Sequence, residues 1–141
     1  MIATAESCTG GMVAAAITDI PGSSAVFDRG FVTYSNAAKM DMLGVASATL
    51  AAHGAVSAET AKDMASGALA HSKAHVAVAV TGVAGPSGGT PDKPVGLVHF
   101  ACLVKGGAIV HVERRFGSLD RAEIRRLSVE QSLHLLMAAL R

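Results

Sequence analysis

The sequence predicts a single α/β domain: a layered α/β/α sandwich around a mixed central sheet. Three observations carry that expectation. Strand-like and helix-like runs alternate along the 141 residues, which is the signature of a sheet covered by helices. The last two strand runs, residues 95–104 and 108–116, are joined by Lys105-Gly106-Gly107, a hairpin signal that adds an antiparallel pair. Half of the residues are apolar and 16% are charged, enough apolar material for one real core at this length.

Each element has a local reason. Residues 2–5 read as the tail of a strand. Residues 9–20 are apolar enough for a helix, which Pro21-Gly22 ends. Residues 27–34 contain Phe31, Val32 and Thr33 and read as a strand. Ser35 caps a short helix that runs through Leu43 and stops at Gly44. Residues 47–53 form another short helix, and Ser57 caps a longer one over residues 58–71. Residues 75–81 alternate Val and Ala and read as a buried strand. Residues 82–94 hold four of the 15 Gly and three of the four Pro, so they read as a loop inside the domain. Asp120 followed by Glu123 resembles a capping box for a last helix that runs nearly to Arg141.

Composition removes several function classes. Twelve Lys and Arg against 11 Asp and Glu leave a net charge of +1, which is no electrostatic footprint for nucleic acid. Aromatics make up 4%, with one Tyr and no Trp, so there is no stacking platform for single strands. The longest apolar runs fall far short of a membrane span, and the start shows no signal-peptide pattern. Cys8 and Cys102 form neither a disulfide framework nor a metal cluster. A reduced, cytoplasmic protein without a metal is expected. His71 and His75 have ligand spacing, but they straddle a helix-to-strand junction.

Four segments can carry chemistry. Glu6-Ser7-Cys8-Thr9-Gly10-Gly11 lies at a strand-to-helix turn. Unpaired N–H groups at such a turn attract an anion or a developing oxyanion, and Ser7 and Cys8 are both candidate nucleophiles. Ser7 or Thr9 acting simply as a helix cap is the plainer reading. Tyr34 and Lys39 flank the Ser35 cap. An early helical position and apolar neighbours push a lysine pKa down, as a general base requires, while Asp41 would oppose this if close. Thr81-Gly82-Val83-Ala84-Gly85-Pro86 opens the Gly/Pro-rich loop, whose N–H groups can face a phosphate. The Gly85-x-Ser87-x-Gly89 spacing inside it is accidental as a nucleophile elbow, because prolines and no helix follow. Arg121, at a helix start, can grip a phosphate or carboxylate with its planar fork. Taken alone, each of these residues is more simply a surface or core residue of a folded domain.

Together they resemble one family. The stretches Thr4–Gly11 and Gly30–Asn36, then Lys39, His53-Gly54-Ala55-Val56-Ser57 and Thr81–Pro86, occur in the order and spacing of the CinA C-terminal domain family. The resemblance spans nearly the whole chain. It implies a nicotinamide-nucleotide amidase, converting nicotinamide mononucleotide and water to nicotinic acid mononucleotide and ammonia. It implies a Ser–Lys pair, Ser7 and Lys39, with Tyr34 assisting. Cys8, Thr9 and Gly10 would supply oxyanion contacts, and Thr81, Gly82, Gly85 and Arg121 would line the substrate pocket. No organic cofactor or metal is implied. The partner is a small pyridine mononucleotide, with no nucleic acid and no membrane.

Family domains carry a helix before the Ser motif, whereas only six residues precede Ser7 here. The domain, residues 1–141, is therefore expected to lack that first helix, and a homo-oligomer or an upstream segment is expected to cover the exposed sheet face. Two other readings stand beside the amidase: a non-catalytic nucleotide-binding or assembly module, and a cysteine amidase using Cys8.

Overall fold

The computed structural model describes residues 1–141. Five strands and five α-helices follow in the order β1 (Ile2–Glu6), α1 (Met12–Thr18), β2 (Phe27–Val32), α2 (Asn36–Leu43), α3 (Ser47–His53), α4 (Ala58–Ala70), β3 (Val76–Gly82), β4 (Leu97–Val104), β5 (Ile109–Arg115) and α5 (Arg121–Ala139). A single 3₁₀ turn, Ser23–Ala25, precedes β2. The sheet order is β2-β1-β3-β4-β5. β2, β1 and β3 are mutually parallel, while β4 and β5 run antiparallel. This is the mixed, helix-covered sheet that the sequence predicts.

The Val/Ala alternation of β3 sorts the two layers. Val76, Val78 and Val80 face α1 and α5 with Val13, Phe100, Ile124 and Leu136. Ala77 and Ala79 face α4 with Ala61, Met64, Ala65 and Ala68. The second interface is nearly all small side chains, so backbones approach closely there. A Cβ on Gly67 of α4 would collide with the Leu43 carbonyl oxygen at the end of α2. Gly67→Ala gains helix propensity but forces α2 and α4 apart. It is expected to lower stability by about 1–3 kcal/mol, read as a shift in the urea midpoint.

The caps form as the sequence indicates. Ser35 Oγ accepts from the Ala38 N–H at 3.0 Å, Ser57 Oγ from Thr60 at 3.1 Å and Asp120 from Glu123 at 2.8 Å. The capping box is half made: the Glu123 carboxylate accepts from Arg126 at 2.7 Å instead of reaching back. The first helix differs more. It starts at Met12, and residues 8–11 form a turn. Gly10 and Gly11 both adopt positive φ, +59° and +107°, a left-handed conformation that interrupts helical backbone.

Chain path places the site. From β1 the chain passes through α1 on one face to β2, then through α2–α4 on the other face to β3. The connections from β1 and β3 thus leave in opposite directions, which opens a crevice at the carboxyl ends of these parallel strands. Ser7, Thr33-Tyr34 and Thr81-Gly82 stand at those ends. At the other end of β1, Ile2, Ile17, Ile20, Val26, Met137 and Leu140 line an open apolar groove. No helix is long and apolar enough to cross a membrane.

Candidate active site

Strand alternation continues just past β1. Glu6 and Cys8 turn toward α1 and α5, and Ser7 turns toward α2. Ser7 keeps the sheet register through its N–H, which donates to the Val80 carbonyl at 3.0 Å. Its Oγ lies 3.1 Å from Lys39 Nζ at the floor of a cavity of about 300 Å³. Lys39 is 1% exposed. Its amine donates to the Thr33 carbonyl at 2.9 Å and more weakly to the Tyr34 carbonyl at 3.4 Å.

That coordination suits a neutral amine. In the neutral form two N–H groups would serve the two carbonyls and leave the lone pair to the Ser7 hydroxyl; in the charged form the third N–H donates to Ser7 Oγ. Burial lowers the Lys39 pKa from the ordinary lysine range, because desolvation penalises the ammonium. Asp41 is exposed and makes no ion pair with this amine, so the opposition expected of it does not arise.

The turn after Ser7 engages part of Thr9 and Gly10 within itself. Thr9 is fully enclosed, and its hydroxyl donates to Glu6 Oε1 at 2.7 Å. Gly10 spends its N–H on the Ser7 carbonyl at 3.0 Å. The Thr9 hydroxyl and the Gly10 N–H are thus engaged within the turn, which the left-handed glycines fold back on itself. The N–H groups of Cys8 and Thr9 have no oxygen acceptor in the chain; that of Cys8 lies next to Ser7 and is a donor the turn can offer to an oxyanion. The Cys8 thiol packs in the apolar layer with Val13 and Ile124, where burial pushes its pKa up to about 11. Thiolate is scarce there at neutral pH, which argues against Cys8 as the nucleophile.

The other expected residues gather at the same cavity. Thr81 is buried, and its hydroxyl donates to the Ala55 carbonyl at 2.8 Å, which ties β3 to the wall formed by Ala55 and Val56. Gly82 has no room for a Cβ against Val98 and the Leu97 carbonyl. Gly85 has φ +75°. Its carbonyl accepts from Arg121 Nη1 at 2.8 Å, and Arg121 Nη2 donates to the Tyr34 hydroxyl at 3.0 Å. Tyr34 stands at the mouth, 61% exposed. Its phenol makes no hydrogen bond with Ser7 or Lys39.

Two residues of the site escape a reading of the sequence. Glu6 is 1% exposed, and its carboxylate accepts from Thr9 Oγ1, from Val13 N–H at 2.8 Å and from Ala14 N–H at 3.1 Å. It caps α1 from seven residues upstream, where the N-cap Gly11 has no side chain to do so. The available signal was a carboxylate inside an apolar strand, directly before a helix with a glycine at its N-cap. Glu6→Ala leaves these donors unsatisfied and is expected to cost about 2–4 kcal/mol, read from chemical denaturation. Arg125 of α5 is the second such residue. Its guanidinium donates to the carbonyls of Cys8 at 3.1 Å and Thr9 at 3.3 Å.

A hydroxyl, a buried amine and an unengaged N–H thus meet at one cavity floor, groups of the kinds that acyl transfer can use. Comparison with known proteins gives the family. The pattern described as the CinA C-terminal domain matches residues 1–140, and the chain belongs to this family. It is 50% identical over 140 residues to "Nicotinamide-nucleotide amidohydrolase PncC" of Enterobacter agglomerans, covering 99% of this chain and 83% of that protein. It is 52% identical to the protein of the same name from Escherichia coli K12, covering 96% of this chain and 81% of the relative. A "CinA-like protein" of Akkermansia muciniphila is 50% identical, but this chain spans only 33% of its length. Among solved structures, the competence/damage inducible protein CihA from Agrobacterium tumefaciens superposes with a TM-score of 0.99 at 57% identity, covering all of this chain and 86% of that one.

Proposed function

We propose that this chain hydrolyses the carboxamide of nicotinamide mononucleotide, giving nicotinic acid mononucleotide and ammonia. The observation that carries the proposal is the 3.1 Å approach of a buried, solvent-shielded Lys39 amine to Ser7 Oγ at the cavity floor. The relatives named as nicotinamide-nucleotide amidohydrolases, at 50% and 52% identity, supply the substrate class.

Neutral Lys39 takes the Ser7 proton as Oγ attacks the carboxamide carbon. The carbonyl oxygen becomes an oxyanion and accepts from the Cys8 N–H. The tetrahedral intermediate collapses, and its C–N bond breaks. The leaving nitrogen takes a proton from the Lys39 ammonium and departs as ammonia, leaving a Ser7 ester. Water then attacks the ester, Lys39 accepts its proton, and Ser7 Oγ recovers one as the acid leaves. Tyr34 assists at the mouth. Its hydroxyl accepts from Arg121, so its own proton is free to donate to the substrate. Arg121, Thr81 and the loop from Gly82 to Gly89 take the ribose and phosphate.

The test is ammonia release from nicotinamide mononucleotide, with nicotinic acid mononucleotide identified chromatographically. Stoichiometric appearance of both products is expected. A folded protein that binds the nucleotide without releasing ammonia would overturn the reading in favour of a binding module.

A further inference from the structure

The turn that carries the oxyanion donor is made of three successive peptide planes, and each is held by a bond on its carbonyl. The Thr9–Gly10 plane is fixed by the Thr9 carbonyl, which accepts from Arg125 Nη2 at 3.3 Å and Met12 N–H at 3.0 Å. A trans peptide points its N–H opposite to its C=O, so this plane directs the Gly10 N–H to the Ser7 carbonyl, 3.0 Å away. That bond fixes the Ser7–Cys8 plane and leaves the Cys8 N–H pointing the other way. The middle plane, Cys8–Thr9, is fixed by Arg125 Nε on the Cys8 carbonyl at 3.1 Å. Arg125 therefore holds two of the planes directly and the third through Gly10. Its guanidinium lies outside the cavity lining, so it touches no substrate.

We infer that Arg125 is a positioning residue for the acyl-transfer step: reaching from α5, it locks the peptide planes that present the Cys8 N–H to the oxyanion. The inference rests on the acyl-transfer reading of the Ser7 site. Gly10 supplies the positive φ, +59°, that this turn requires; a Cβ there would stand in ordinary contact with Arg125 Nη2, 3.5 Å away. A planar fork meets two neighbouring carbonyls at once, which a lysine ammonium matches only in part. The guanidinium also adds positive charge behind the turn that receives the developing negative charge.

The experiment compares wild type, Arg125→Lys and Arg125→Met in two assays. In the first, ammonia release from nicotinamide mononucleotide, Arg125→Met is expected to lose kcat by about 100-fold, the scale of a lost oxyanion donor. KM and the position of the pH profile stay near wild type, and Arg125→Lys falls between. The second assay titrates pyridine-3-boronic acid, which becomes a tetrahedral anion on a serine hydroxyl. Its affinity is expected to fall in parallel with kcat. It reads the Ser7 turn whatever carboxamide the protein hydrolyses, so a wild type that is silent on the mononucleotide yet binds the boronate would sink the substrate reading alone.

Several outcomes would overturn the role of Arg125. One is a rise in KM at constant kcat, which would make it a substrate contact. Others are unchanged boronate affinity in Arg125→Met, or a wild type that does not bind the boronate at all. If Arg125→Met fails to fold, Arg125→Lys decides: full activity with full boronate affinity would leave Arg125 merely structural.

Discussion

Ser7→Ala is expected to abolish ammonia release while leaving the fold intact. Removing one hydroxyl takes away the nucleophile and the covalent intermediate, and losses on the order of 10⁴–10⁶-fold in kcat follow when such a group is deleted. The fold should hardly notice. Ser7 Oγ meets only Lys39, and the Ser7 main chain keeps its bonds to Val80 and Gly10. The melting temperature should stay within a few degrees of wild type, and KM or nucleotide affinity should persist. The paired substitution Cys8→Ala is expected to retain activity, because the Cys8 contribution is its backbone N–H. Activity that survived in Ser7→Ala and vanished in Cys8→Ala would reverse the assignment of the nucleophile.

Lys39→Met should produce the second large effect. A thioether of similar length fills the same buried space but accepts no proton, so kcat is expected to drop on the order of 10³-fold, the range assigned to a positioned general base. Stability at neutral pH should change by no more than about 1.5 kcal/mol, since an apolar side chain of similar length fills the space and the desolvation cost of the amine is removed along with its bonds to the two carbonyls. The pH dependence carries a sign that can be checked. Burial lowers the Lys39 pKa in the folded protein, and catalysis needs the neutral amine, so kcat/KM rises with pH through that lowered value.

The same shift links to stability. Between the folded pKa and the ordinary lysine value near ~10.4, the unfolded chain binds more protons than the folded one, so wild-type stability climbs with pH across that window. Below the window both states hold the proton, and the burial penalty is present in full. Denaturation midpoints measured against pH should show the climb in wild type and its absence in Lys39→Met. A rate that falls as pH rises through this range would mean that the ammonium is the working form and would remove Lys39 as the base.

Much of the fold follows from short-range signals. Ser35, Ser57 and Asp120 cap helices because their side-chain oxygens reach N–H groups three residues on, a geometry independent of the rest of the chain. The Val/Ala alternation of β3 indicated a buried strand, and the structure shows its alanines packed closely against α4. The glycines in the turn before α1 misled the helix start, because apolar composition alone does not show that Gly10 and Gly11 take positive φ. The pairing of Glu123 with Arg126 was also decided locally, by an exposed neighbour that the capping pattern does not weigh.

The site divides in the same way. The residues Ser7, Tyr34, Lys39, Thr81 and Arg121 could be picked out together because their segments match the family pattern, although each alone reads as a cap, a surface or a core residue. Their convergence could not be read from periodicity: Ser7 and Lys39 are 32 residues apart, and Tyr34 and Arg121 are 87 apart. Glu6 and Arg125 passed unnoticed for a related reason. A carboxylate in a strand and an arginine on a helix look like solvated charges until the turn between them shows its unpaired N–H groups and carbonyls.

The sequence by itself determined the element types and their caps, because these depend on each residue's own backbone preference and near neighbours. Only the tertiary structure decided that Ser7 faces a buried amine while Cys8 faces the apolar layer. It also decided that the Thr9 hydroxyl and the Gly10 N–H are spent on the turn itself and that one arginine from the last helix bonds to that turn. Burial and peptide-plane orientation are properties of the packed chain. They change a lysine's proton affinity and aim an N–H in ways that no single residue carries alone.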